Sequence, residues 1–403
     1  MNAHGHPRSL TQMLRDWDDD GLARLLEARP DLAFPPPQTF SEVASRATTR
    51  DSVADALRTM NAFDLWVAQR AVAQPGAFSA TQLTELAEHA TETAKALDRL
   101  LALALLWGDE SALRPVRALA ALLAEAGPIK PALPDPPSVG DSVTKPSDLV
   151  DRVAAGSAFE FIRRIDVVVE HCEHSPTPLT RAGALGTRAL RLLATLLDLP
   201  TAAARSHLEI ATSAGLLGVS ARGSDDVLQP TVAFDTWQRH SLADQWATVA
   251  AGWFDNHPPS GVQRLKRLCF EAYGDPAAGV VLSAIDLKTW LAWRSPMRAG
   301  SADRSAAVML EQASWLGITG LGALSSFGLS RDVEALDRLL PARVGHIVVQ
   351  ADLTAVAPGP LTAEAARDLG ALADVESRGG ATVYRFSVAS LRRAHSLGWS
   401  VDD

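Results

Sequence analysis

Asp16, Asp18, Asp20, Gly21 and Glu27 follow D-x-[DN]-x-[DN]-G-x5-E, the ligand spacing of a calcium-binding helix–loop–helix. Such a loop needs alternating carboxylates, a glycine at its bend and a bidentate glutamate. Here Gly21-Leu22-Ala23-Arg24-Leu25-Leu26 has helical apolar spacing, and Arg24 puts a cation where a calcium loop needs oxygen. The carboxylates therefore read better as an acidic first turn complementing a helix dipole. His171-Cys172-Glu173-His174 sets two imidazoles where one helix face can present both. Zinc sites usually take four ligands, and no second cluster stands at suitable spacing, so a polar helix end is the better reading. His4 and His6 lie in a stretch without pattern.

Catalytic signatures are absent. G-x-x-x-x-G-K-[ST] does not occur, so no phosphate-cradling loop of that kind is encoded, and neither G-x-S-x-G nor H-E-x-x-H is found. The expectation is a protein that is not an enzyme, with no metal, no cofactor and no small-molecule substrate. Function must then be argued from modules.

Composition narrows the class further. A chain of 403 residues can bury several cores, and 47% hydrophobic with 21% charged residues is ordinary for a water-exposed protein. The longest strongly apolar run, residues 100–107, is far too short for a bilayer, and the N-terminus has no apolar segment of signal-peptide type. Two distant cysteines, Cys172 and Cys269, argue against a disulfide framework. A cytoplasmic location is expected. The net charge of −9 excludes a polycation that coats nucleic acid by charge alone. Arginine outnumbers lysine 33 to 5. A GC-rich coding sequence, which also favours alanine, explains that better than phosphate recognition does, so arginine abundance is not evidence of DNA binding.

The elements that would position any functional group form an ordered series. Residues 8–60 read as polar-faced helices, broken at Pro30 and again at Pro35-Pro36-Pro37. Pro128, Pro131, Pro134, Pro136, Pro137 and Gly140 mark a linker. Around it one arrangement recurs three times: an apolar helix, a short helix, and a third helix ending in two large apolar residues and a glycine. Those endings are Leu106-Trp107-Gly108, Leu216-Leu217-Gly218 and Trp315-Leu316-Gly317. A glycine there can take the left-handed cap, and the following residues can open a β-hairpin. After the turn-rich Gly223-Ser224-Asp225-Asp226, residues 227–232 read as a return strand.

Three helices and a hairpin make a winged helix; a generic helical bundle is the alternative. The expected fold is mainly α with small β elements: tandem winged-helix-like domains followed by a small α+β module. The boundaries are an N-terminal helical region at 1–60, winged-helix-like domains at 61–127, 148–240 and 241–341, a linker at 128–147, and the α+β module at 342–403.

If the third helices read DNA, they need exposed basic groups. The first copy offers Lys95 and Arg99. The second offers Arg205 and His207, with Arg188 and Arg191 on the preceding helix, and the third offers Arg304. Residues 151–267 hold twelve basic and twelve acidic side chains, a thin electrostatic footprint. Winged helices also serve as protein-interaction modules, and both readings stand.

The last sixty residues carry the most specific text. A strand over 346–350, a helix over 362–373, a passage from Val375–Ser377 through a Gly379-Gly380 turn into a strand over 382–386, and a helix capped by Ser387 are expected. Ser400-Val401-Asp402-Asp403 resembles the opening of one more helix, so the module is expected to stop part-way through. Without that helix, Leu391, Leu397 and Trp399 would be partly uncovered. The words Ile347-Val348-Val349-Gln350-Ala351-Asp352-Leu353-Thr354, Leu372-Ala373-Asp374-Val375-Glu376-Ser377-Arg378 and Val383-Tyr384-Arg385-Phe386-Ser387 resemble actinobacterial helicase-associated proteins. Leu25-Leu26-Glu27-Ala28-Arg29-Pro30-Asp31-Leu32 is similar to the same proteins. The resemblance implies a domain like the N-terminal, damage-recognition-like region of XPB-type DNA helicases. It implies a role in DNA repair or transcription, with DNA or a DNA helicase or repair protein as partner, and no assigned reaction. Members of that family continue beyond this point, so the chain also reads as the N-terminal part of a longer helicase-associated protein.

Overall fold

The computed structural model describes residues 9–85, 87–130, 132–139, 143–180, 183–222, 225–255, 261–378 and 381–400. It is mainly helical, with small antiparallel sheets. Two compact units are present. Unit 1 comprises Met1–Val143, Arg264–Gly274 and Leu282–Met309, and unit 2 comprises Thr144–Gln263, Asp275–Val281 and Leu310–Asp403. No helix among the described residues is long and apolar enough to cross a membrane.

Unit 1 opens with α1 (Leu10–Asp16), α2 (Asp19–Ala28), α3 (Pro30–Ala33), α4 (Phe40–Ala47) and α5 (Arg50–Leu57). Asp18 caps α2 by accepting from the Gly21 N–H at 2.8 Å, and Asp19 and Asp20 occupy its first turn. The calcium-like spacing is thus a helix start. Arg29 is fully buried and donates to the carbonyls of Leu103 (2.7 Å) and Ala47 (2.9 Å) and to Ser52 Oγ (2.5 Å). Ser52 in turn donates to Asp31. Burial pushes the Arg29 pKa down, and Asp31 and Asp55 oppose that shift.

The series continues with α6 (Ala62–Val72), α7 (Ala80–Thr84), α8 (Ala90–Ala102), the hairpin β1 (Leu106–Trp107) and β2 (Arg114–Pro115), and α9 (Arg117–Ala126). Phe78, between α6 and α7, bridges to Leu113 at the start of the return strand. In unit 2, α10 (Ser147–His174) leads to β3 (Thr177–Pro178), α11 (Thr187–Leu197) and α12 (Thr201–Ser213). The hairpin β4 (Leu217–Arg222) and β5 (Asp225–Pro230) follows, then α13 (Val232–Arg239) and α14 (Leu242–Phe254). The sheet order is β3-β5-β4, fully antiparallel. The return strand stops at Pro230, short of the expected residue 232, because Thr231 is the N-cap of α13, which takes up Val232. Next along the chain come α15 (Gly261–Glu271) and α17 (Ala299–Trp315), each divided between the two units, with α16 (Ala284–Arg294) of unit 1 between them, and then the unit 2 hairpin β6 (Thr319–Gly320) and β7 (Ala323–Leu324).

The three copies share one turn, which falls at the expected glycine in the third copy and three to four residues earlier than expected in the other two. Ala104 (φ 53°), Gly215 (φ 75°) and Gly317 (φ 69°) hold the left-handed conformation after the third helix. In each copy the next N–H reaches back five residues: Leu105 to Leu100 O (2.9 Å), Leu216 to Ala211 O (3.0 Å), Ile318 to Ala313 O (2.9 Å). The carbonyl of that residue then accepts from the returning chain, from Val116, Thr231 and Ser325 respectively, each at 3.0 Å. Gly108 and Gly218 therefore do not cap the third helix. Each follows or lies within the first hairpin strand: alanine fills the left-handed site in the first copy, and the earlier Gly215 fills it in the second.

The C-terminal part of unit 2 contains α18 (Val333–Asp337), β8 (Val348–Val349), β9 (Thr354–Ala357), α19 (Ala363–Leu372), β10 (Asp374–Arg378), β11 (Thr382–Arg385) and α20 (Val388–Ser396). Its antiparallel sheet has the order β10-β11-β9-β8. Ala355, Ala357, Leu361, Leu369 and Ala373 form the small core beneath it, against Tyr384 and Phe386. Thr362 caps α19, and Ser387 with Ser390 closes a capping box on α20. The strand expected over 346–350 is shorter, and both residues of β8 are exposed. Leu391 and Leu397 are exposed as well. Residues 401–403 of the expected capping pattern lie outside the described residues.

Gly317 tests the shared turn. Besides its positive φ, a Cβ there would sit 2.2 Å from the Ala154 carbonyl oxygen of α10. Gly317→Ala is expected to lower unfolding stability by about 2 kcal/mol or more in denaturant titration. A change within error would contradict this placement.

Candidate functional site

The basic residues proposed for the second copy come from two packed helices. On α11, Leu190, Leu193, Ala194 and Leu197 face inward, which turns Arg188 and Arg191 to solvent. Seven of the thirteen residues of α12 are buried, leaving a narrow outer stripe of Thr201, Ala202, Arg205, Glu209 and Thr212. Arg188, Arg191 and Arg205 make no ion pair among the described residues. Burial pushes the Glu209 carboxyl up, and Arg205 opposes that shift. Sequence reasoning missed Arg222, exposed at the end of β4. The available signal was its place just before Gly223-Ser224-Asp225-Asp226, a stretch of turn-favouring residues in the sequence.

His207 is corrected. It is 0% exposed and lies between Phe161, with ring centroids 4.6 Å apart, and Trp315, at 5.3 Å. Its Nδ1–H donates to the Ala203 carbonyl at 2.8 Å, which fixes the neutral tautomer. Burial lowers its pKa from an ordinary 6.5 to about 4, with the Ala203 bond opposing and Arg164 assisting. A neutral buried imidazole cannot meet a phosphate. It is a core residue placed by α12's inward face.

In unit 1, Lys95 is exposed on α8. Arg99 on the same helix is held by the buried Asp64 of α6, with Nε 3.1 and 3.0 Å from the two carboxylate oxygens. Its charge is therefore already matched. Arg304 belongs to α17, and its side chain lies outside the described residues. His174 ends α10 with Nδ1 2.8 Å from the Glu170 carbonyl, and no metal-holding group of three or more His, Cys, Asp or Glu occurs among the described residues.

Unit 2 also contains a cleft of 580 Å³ that the sequence did not announce. Arg163, Asp166 and Glu170 of α10, Asp235 and Arg239 of α13, Arg343, and Arg367 of α19 line it, with Phe159 and Tyr384. Arg343 is fixed by bonds to the carbonyls of Leu361 (3.0 Å) and His240 (3.1 Å), and desolvation lowers its pKa against the pull of Asp166. Among the described lining residues there is no Ser, Cys, His or Lys. Its lining combines four arginines with three carboxylates and two aromatic rings, a polar, charged surface.

With the fold in place, comparison with known families adds one finding. Residues 347–403 match a family model described as "Helicase conserved C-terminal domain". No curated protein matches the chain. The match spans the β8–β11 sheet with α19 and α20, and it supports a helicase-associated protein. Its description names a helicase C-terminal domain, whereas the resemblance pointed to an XPB-type N-terminal region. Helicase association is what the two have in common.

The burial of His207 has a measurable pH consequence. Well above pH 6.5 the imidazole is neutral whether folded or unfolded. As pH falls below 6.5, the unfolded chain binds a proton that the native site refuses until about pH 4, so stability is lost across that window. The slope is about 1.4 kcal/mol per pH unit within it. Chemical unfolding of His207→Phe between pH 6.5 and 5 should be flatter than that of the parent; equal slopes would refute the assignment.

Proposed function

We propose that the protein is a non-catalytic, helicase-associated accessory protein of DNA repair or transcription, and that residues 148–240 form a winged helix lying on DNA. The observation that carries the reading is the union of topology and charge in one module. A helix, a short strand, two helices and a six-by-six-residue hairpin follow in that order, with the first strand paired to the last. Arg188, Arg191, Arg205 and Arg222 are exposed on the second helix, the third helix and the hairpin of that module. Helix α12 is the groove-facing element and the hairpin the backbone-contacting wing. The reading includes a cytoplasmic location, in keeping with two buried, unpaired cysteines. The family match over residues 347–403 supports the helicase side of the proposal, with an XPB-like module as the finer version of it.

The test is binding of the full chain to duplex and forked DNA across a salt series from about 50 to 200 mM. The parent should bind with a steep salt dependence. Arg188→Ala/Arg191→Ala/Arg205→Ala should reduce the log–log slope by about one per arginine removed and weaken binding to all sequences alike. Absence of binding at low salt, or an unchanged slope, would sink the DNA part of the reading.

A further inference from the structure

We propose that the outer side of α11 docks an acidic amphipathic helix of a partner protein. The same helix that presents Arg188 and Arg191 also exposes Leu192 and Leu196, at 58% and 51%. Arg188, Leu192 and Leu196 follow one another at four-residue steps and so form one row, with Arg191 on the neighbouring row. The helix Thr-Arg-Ala-Leu-Arg-Leu-Leu-Ala-Thr-Leu-Leu contains no acid; positive charge flanks the N-terminal end of the leucine row, and the exposed Asp198 follows only as the C-cap.

The chemistry of that face selects its occupant. Phosphates gain nothing from two leucines, which would stay wet or be desolvated without apolar contact. A second copy docked about a two-fold axis would bring Arg188 and Arg191 against their own counterparts, with no carboxylate on α11 to offset the repulsion. A helix with two apolar residues one turn apart and Asp or Glu beside them satisfies both features: it covers the leucines and pairs the arginines. This goes beyond the DNA reading, because Leu192 and Leu196 play no part there. Arg188 and Arg191 are common to both, so helix and DNA would exclude one another on this module.

Two labelled helical peptides of about 20 residues provide the probe, one with leucines at i and i+4 flanked by Glu, the other with the same leucines flanked by Lys. Fluorescence anisotropy with the full chain should show binding of the Glu peptide and little of the Lys peptide. Leu192→Ser/Leu196→Ser should weaken Glu-peptide binding at least tenfold while leaving DNA affinity within twofold. Arg188→Glu/Arg191→Glu should reverse the peptide preference. Failure of the Glu peptide to bind, equal binding of both peptides, or indifference to the leucine substitutions would overturn the proposal. So would a self-associated chain that becomes monomeric in the leucine variant. Because both leucines are exposed, the variant should keep the parent's circular dichroism, and DNA binding reports separately on the preceding reading.

Discussion

The packing of His207 between Phe161 and Trp315 decides which side of α12 can meet another molecule. A helix of thirteen residues with an imidazole, Ser206, Leu208 and Ile210 turned inward keeps only its Arg205 line for solvent. Neutral histidine is tolerated there because its one proton already has the Ala203 carbonyl, while the aromatic faces take the rest of the ring. Once α12 is rolled this way, α11 must present Arg188 and Arg191 outward, since its leucines at 190, 193 and 197 fill the space beneath. The position of the β4–β5 hairpin follows from the turn at Gly215 and the bond from Thr231 N–H to Leu216 O.

The same turn appears in all three copies, yet the hairpins differ in what they do. In the first copy the strands are two residues long, and Arg114 lies over the Trp107 ring at 5.2 Å. In the third, all four strand residues are buried, and Gly320 lets the chain approach α10 so closely that a Cβ would come within 2.3 Å of the Val150 carbonyl. That hairpin serves packing. Only the second reaches six residues per strand and ends in exposed side chains. The same turn therefore closes hairpins of different reach, and that of residues 217–230 carries the exposed Arg222 at its end.

Much of the architecture was legible because it is local. Helix starts at Thr362 and Ser387 follow from side chains that satisfy N–H groups within three residues, and apolar spacing marks the buried faces. What escaped was long-range. Arg99 looks like an available cation until Asp64, thirty-five residues earlier, is brought beside it. His207 looks like a surface donor until Phe161 and Trp315 close on it. The cleft gathers Arg163, Arg239, Arg343 and Arg367 from segments with no common motif. The turn register slipped because Ala104 adopts a conformation usually left to glycine, an exception no spacing rule encodes.

Backbone amide hydrogen exchange of the full chain, with and without a short DNA duplex, tests the central claim most directly, because it reports where contact occurs without assuming which side chains matter. The account predicts slowed exchange concentrated on α11, α12 and the β4–β5 hairpin, with α8 and the buried β6–β7 hairpin unchanged. Protection centred on α8 or on the sheet of residues 347–385, with none on α11, α12 or that hairpin, would contradict it.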